Sequence, residues 1–258
     1  MFRGESPTAS AEAFQQGGST MSSRSHLIRM LVVAVLWGGV AVPASAQPHD
    51  QHDHLTPTAR RLNESFADPD VQQWIARFES EGRAIYDSRF DILDLMALKP
   101  GVDVADIGAG SGFLSRLMAQ RVGPGGTVYA VDIAPSMVEH IDETAKAMEL
   151  DNVTALLGDP RSPRLAESSV DVVFIADSYH HFEFPMEMLA EIKKALRPDG
   201  LFLLIDYERV EGQSADFVLN MVRAGKDTFT RKIVEAGFEL VEEVDMLEEQ
   251  YVLKFRSR

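Results

Sequence analysis

The sequence has no cysteine among its 258 residues, so it can form no disulfide, no thiolate metal site and no cysteine nucleophile. Long apolar runs are scarce too: its most hydrophobic stretch, 30–42, is short for a membrane span. Basic charge is scarce: 25 Lys and Arg stand against 40 Asp and Glu, for a formal net charge of −15. Such a surface is repelled by nucleic acid and by anionic lipid, so neither is an expected partner. No internal repeat or low-complexity tract is evident. With 45% apolar and 25% charged residues, the composition is that of a soluble globular protein. The length suits one α/β domain with an extension.

The stretch that says most is Val104-Ala105-Asp106-Ile107-Gly108-Ala109-Gly110-Ser111-Gly112, followed by the helix-like Phe113–Met118. An apolar run ends in an acid and a glycine-rich turn. Glycines let the backbone turn tightly against a ligand, and the helix that follows offers unpaired N–H groups. Two nucleotide signatures are missing from it. A dinucleotide fingerprint needs its third glycine where Phe113 stands, and no Gly-Lys-Ser/Thr follows to make a P-loop. Asp106 would repel a pyrophosphate but could reach, directly or through water, the ammonium of an amino-acid moiety.

Further strand-like runs also end in acids: Thr127–Asp132, then Val153–Gly158 with Asp159, then Val170–Ala176 with Asp177. The last is apolar almost throughout, as a buried parallel strand is. A helix is expected over about Met186–Leu196. The turn Arg197-Pro198-Asp199-Gly200 then leads into a strand over Leu201–Asp206, and Phe238–Val244 and Tyr251–Phe255 close the series. Acids at 106, 132 and 159, each at a strand end, fit a ligand held at the carboxyl edge of an open α/β sheet.

In this order, and with the pattern Asp-x-Gly-x-Gly-x-Gly, residues 70–256 resemble the class I S-adenosylmethionine-dependent methyltransferases. The likeness is to the small-molecule type, and within it to the quinone-biosynthesis group. The turn at 197–200 is similar to that family's L-(K/R)-P-G-G, with Asp199 in place of a glycine. The resemblance implies a Rossmann-like, seven-stranded, mostly parallel sheet of order 3-2-1-4-5-7-6, the last strand antiparallel, with helices on both faces and an amino-terminal helical extension. It implies S-adenosylmethionine as cofactor, with Asp132 on the ribose hydroxyls and Asp159 toward the adenine amino group. Gly108, Ala109, Gly110, Gly112, Ile133, Met137, Gly158 and Pro160 complete the expected cofactor set with Asp106. Asp177 either contacts the methionine end or caps its own loop.

Methyl transfer from a sulfonium is an in-line displacement, so the protein must align the acceptor, exclude water and remove a proton. The candidate bases are His180 and His181, in the loop after the fourth strand, because imidazole titrates near neutrality. Tyr179 and Glu183 are candidates to orient a small-molecule acceptor. Asn220, Arg223 and Lys226 either recognise an acidic or phenolic acceptor or neutralise nearby glutamates. No metal site is expected in the domain. The absence of cysteine removes arsenite-methylating enzymes that use cysteine triads as models. The absence of an Asn/Asp-Pro-Pro-aromatic motif argues against amino methylation of DNA. Two other readings stay open: a non-catalytic binder of S-adenosylmethionine or S-adenosylhomocysteine, and an NAD(P)-dependent oxidoreductase with an unusual glycine loop.

Before the domain, Arg24, His26 and Arg29 precede the apolar run 30–42, and Pro43-Ala44-Ser45-Ala46-Gln47 supplies a small-x-small cleavage site. Residues 1–46 are therefore expected to be a secretory leader cleaved after Ala46, with translation starting at Met1 or Met21. The domain is expected outside the cytoplasm, periplasmic or secreted, with no stable membrane insertion after leader removal. An uncleaved leader that anchors it is the alternative. Loss of residues 1–46 takes three of the 25 basic and two of the 40 acidic residues and leaves a charge of −16. Residues 47–67 read as a linker whose His49, His52 and His54 form either a solvated tail or a divalent-metal site. The catalytic domain is expected over 68–258. Asp68-Pro69-Asp70 starts helices with apolar spacing over Val71–Phe78 and Ala84–Leu98, a lid over 68–98 with Trp74, Arg77, Phe78, Arg83 and Tyr86 facing the cleft.

Overall fold

Strand β1 (Val104–Ile107) is buried at all four positions, which demands cover on both faces and strands on both edges. In the computed structural model, which describes residues 61, 63, 64 and 69–258, it has both. The expected leader over 1–46 and the linker histidines lie outside the described residues. On one side β1 pairs in parallel with β2 (Val128–Asp132), which pairs in parallel with β3 (Val153–Leu157). On the other side β4 (Val170–Ala176) and β5 (Leu196–Tyr207) continue the parallel run. Strand β7 (Gln250–Ser257) lies antiparallel between β5 and β6 (Phe238–Val244), so the order is β3-β2-β1-β4-β5-β7-β6. This is the sheet expected from the sequence.

Alternation along β4 divides the core. Val173 and Ile175 join one apolar cluster with α6 (Pro185–Ala195), α7 (Asp216–Met221) and α8 (Lys226–Glu235). Val172 and Phe174 join the opposite cluster with α4 (Phe113–Val122). Helix α5 (Pro135–Ala147) follows β2 and starts on Pro135, whose fixed φ suits a first turn. The register shifts where β5 runs from Leu196 to Leu201 opposite Val170 and Val172, and Val170 belongs to the same cluster as Val173.

Before β1, α1 (Val71–Phe78) begins as expected, its cap Asp70 accepting a hydrogen bond from the Gln73 amide at 3.2 Å. The helix expected over 84–98 is instead two, α2 (Ala84–Asp87) and α3 (Arg89–Leu95), broken at Ser88. Residues 197–200, expected as a turn, are drawn into β5, with Asp199 in the left-handed region at φ 63°. Their anchor is Arg197, whose guanidinium bridges Asp103, just before β1, at 2.8 Å and Asp171 of β4 at 2.6 Å. No helix among the described residues is long and apolar enough to cross a membrane.

Candidate active site

The carboxyl ends of β1, β2, β3, β4 and β5 surround a cavity of about 350 Å³, and α1 covers it. Glycine makes the approach possible at two points. Gly108 has φ 78°, and a Cβ there would stand 2.3 Å from the Ser178 Oγ, which itself donates to the Gly108 carbonyl at 3.2 Å. Gly110 has φ 55° and lies under the Phe78 ring of the lid, 2.9 Å from where its Cβ would be. Any other residue at either place would push the β1 turn away from its neighbours.

Asp132, at the end of β2, accepts from the Gly110 amide and the Ala134 amide, each at 2.9 Å, and lines the cavity. It thus fixes the glycine turn, and burial raises its pKa. Ile133, Met137, Gly158, Asp159 and Pro160 line the same cavity. The Asp159 carboxylate is held by the Arg161 amide at 2.8 Å and by Arg164, which depress its pKa. Asp106, Ala109 and Asp177 line a smaller adjoining hollow of about 60 Å³, which shares Phe78, Arg83, Gly108, Gly110 and Ser178 with the larger one. Asp177 lines both, and the lid reaches it through Arg83 at 2.9 Å. Gly112, packed over Ile141, lies outside both hollows.

The three residues proposed for catalysis separate. His180 lines the cavity, and its Nδ1 lies 2.7 Å from Asp206 Oδ1 at the end of β5. That aspartate also accepts from the backbone amides of His180 at 3.0 Å and Tyr207 at 2.8 Å. A carboxylate can only accept, so Nδ1 is the donor, and in the neutral ring the lone pair falls on Nε2, which has no partner among the described residues. The ring is fully buried, with His181 at 4.2 Å between centroids and Tyr207 edge-on at 6.2 Å.

His181 is different. Burial, then the nearby His180 and Arg223, push its pKa down to about 2, so it is a poor proton acceptor at neutral pH. Its Nδ1 meets the Asn63 side-chain oxygen at 3.1 Å, and the Asn63 amide donates to the His181 carbonyl and to Glu183. Tyr179 faces away from the cavity into the core, edge-on to Phe229 at 4.9 Å. Burial raises its phenol pKa further. As an orienting group for an acceptor it is excluded by that position.

The cluster Asn220, Arg223 and Lys226 also falls elsewhere, since none of the three lines the cavity. Lys226 pairs with Glu208 and Glu243. Arg223 is half-buried behind the loop after β4 and donates to the Tyr179 and His180 carbonyls. The cations on the cavity wall are Arg77 and Arg83, from the lid. Asp206 and Asn63 were missed from sequence. Asp206 had one available signal, as the acid that ends the fifth strand; Asn63 had none.

The residues present fit a nucleoside bearing an amino acid. There is a glycine cradle that side chains would fill, a carboxylate at the next strand end, and a volume within the roughly 300–1,000 Å³ usual for small-molecule sites. Comparison with known proteins agrees. A profile of the methyltransferase domain family matches residues 98–249. A nocamycin O-methyltransferase of Saccharothrix syringae is 40% identical over 109 residues, 42% of this chain and 39% of that protein. A demethylmenaquinone methyltransferase of Listeria welshimeri is 29% identical over 46% of this chain and 50% of its own. The chain therefore spans half or less of the length of these curated relatives. A crystal structure of an S-adenosylmethionine-dependent methyltransferase from Aquifex aeolicus superposes with a TM-score of 0.66 at 23% identity, covering 74% of this chain and all of the other. With the sheet order, the glycine turn and a family match over more than half its length, the chain belongs to the class I S-adenosylmethionine-dependent methyltransferases.

Proposed function

We propose that the protein methylates a hydroxyl oxygen of a small molecule, with His180 as general base. The observation that carries this is the His180–Asp206 pair, 2.7 Å apart in the cavity wall next to the cofactor cradle. S-adenosylmethionine supplies the methyl group on a sulfonium, which leaves as a neutral thioether. Asp132 and Asp159 hold the nucleoside, and the Gly108–Gly110 turn with Asp106 and Asp177 holds the amino-acid end. His180 Nε2 takes the proton as the acceptor oxygen gains its methyl group, and Asp206 stabilises the imidazolium that forms. The rings over His180 exclude water, so His181 must move aside for an acceptor to reach Nε2, and Asn63 is its latch.

Release of S-adenosylhomocysteine with a panel of phenolic acceptors tests the reading. His180→Gln is expected to lower kcat by about 10²–10⁴ while S-adenosylhomocysteine still binds. Asp132→Ala is expected to weaken that binding by roughly 1.5–3 kcal/mol, as for the loss of charge-assisted hydrogen bonds. Tight binding with no turnover on any acceptor would leave a cofactor-binding protein instead.

We also propose that the domain works outside the cytoplasm. The support is the basic, apolar and small-x-small order of residues 24–47. Amino-terminal sequencing of secreted protein is expected to begin at Gln47, and recovery only from the cytoplasm with the leader intact would refute export.

A further inference from the structure

One cation on the cavity wall has no carboxylate partner among the described residues. Arg83 is taken by Asp177, whereas Arg77 rests over the Trp74 ring, its guanidinium carbon 5.1 Å from the centroid. Both line the cavity, and Arg77 is exposed. The acids at this end are already engaged: Glu183 accepts from the Asn63 amide at 3.1 Å, and Asp206 is closed around His180.

Arg77, Tyr207 and His180 line the same cavity, and the Tyr207 ring meets that of His180 at 6.2 Å. The His180–Asp206 pair stands at its β4–β5 end. Asp159 follows β3, four strand spacings from β5 and thus about 19 Å away across the sheet. The wall of this cavity also carries aromatic and thioether groups: Trp74, on which Arg77 rests, and Phe182, Tyr207 and Met221.

We propose that the acceptor is an aromatic hydroxyl compound that also carries a carboxylate, bound through that carboxylate by Arg77. The proposal rests on the reading of this site as a hydroxyl methyltransferase and names its substrate class. A flat ring suits the aromatic wall, and a planar guanidinium matches a carboxylate with two parallel hydrogen bonds. In a chain of net charge −15, an anion is repelled in general and needs a local cation to dock. The cofactor has a carboxylate of its own. Its amino-acid end, however, belongs to the hollow beside Asp106, which Arg83 bounds and Arg77 does not.

The test is calorimetry on protein saturated with S-adenosylhomocysteine, titrated with 3,4-dihydroxybenzoate or with catechol, which differ only in the carboxylate. The acid is expected to bind at least about tenfold more tightly. Arg77→Met is expected to erase the preference and Arg77→Lys to retain part of it, with S-adenosylhomocysteine affinity unchanged in both. Equal affinities, no binding of either compound, or a preference that survives in Arg77→Met would overturn the inference. So would a loss of S-adenosylhomocysteine affinity in Arg77→Met, because the cofactor's carboxylate would then be the partner. An Arg77-dependent preference without methyl transfer would sink the enzyme reading alone, and methylation of catechol with no preference would sink the substrate class alone.

Discussion

Asp106 is 4% exposed, accepts from the Ser115 hydroxyl at 2.5 Å, and has its pKa lifted by burial to about 7. Near neutrality it is therefore only partly ionised, and in the function proposed above the ammonium of the cofactor pairs with the ionised form alone. Below pH 7 a proton must leave before that pair can form, so affinity falls as pH falls. S-adenosylhomocysteine binding is expected to weaken about tenfold between pH 8 and pH 6, the ratio of ionised fractions for one group that titrates near 7 and gives up its proton on binding. Asp106→Asn should flatten that dependence, and an unchanged slope in the variant would assign the proton elsewhere, with Asp132 and Asp177 the other raised carboxyls. Residues of this kind were legible in the sequence because the backbone dictates them: alternate glycines, and an acid at a strand tip. Asp206 was not read as a partner of His180, 26 residues before it, nor Arg83 as one of Asp177, 94 residues after it. No local pattern encodes such pairs.

At the scale of elements, period and punctuation placed every strand of the sheet, and the misreadings fall where tertiary contacts outweigh local preference. The single helix expected over 84–98 breaks at Ser88, whose φ of −90° and ψ of 11° leave the helical region, while Ile85 on one piece and Ile92 and Leu93 on the other stay in one apolar cluster. The 197–200 segment extends β5 because Arg197 is clamped by two carboxylates, Asp171 of β4 and Asp103 just before β1. The short turn Tyr179–His181 depends on an element that sequence did not link to it. Arg223, from the loop between α7 and α8, donates to two of its carbonyls and lies over the Phe229 ring, 5.2 Å from the centroid. Arg223→Met is expected to lower kcat by about 10- to 100-fold, equivalent to one or two lost charge-assisted hydrogen bonds, while S-adenosylhomocysteine affinity stays put. Arg223→Lys, which keeps a donor, should recover part of it. Equal losses in kcat and in cofactor affinity would mean general unfolding of the site.

Across the whole molecule the cavity joins parts of very different firmness. The sheet and α2–α3 share buried apolar clusters, but α1 has no buried residue. It is attached through Phe78 over Gly110 and through Glu79, which accepts from Arg116 with both carboxylate oxygens at 2.9 Å. A ligand filling the cavity touches α1 and the strand ends together, so it stabilises the folded arrangement by mass action. At 100 times its dissociation constant S-adenosylhomocysteine contributes about 2.7 kcal/mol, which for a unit of roughly 190 residues raises Tm by about 5–10 °C. Differential scanning calorimetry is expected to show one transition that moves by this amount in the native protein and by much less in Asp132→Ala at the same ligand concentration. Because α1 contributes little to the core, trypsin is expected to cut the free protein after Arg77 or Arg83 well below the transition, and the ligand to slow that cleavage. Cleavage there at one rate with and without ligand would mean that α1 does not close over the bound cofactor, and the lid would then have to lie elsewhere.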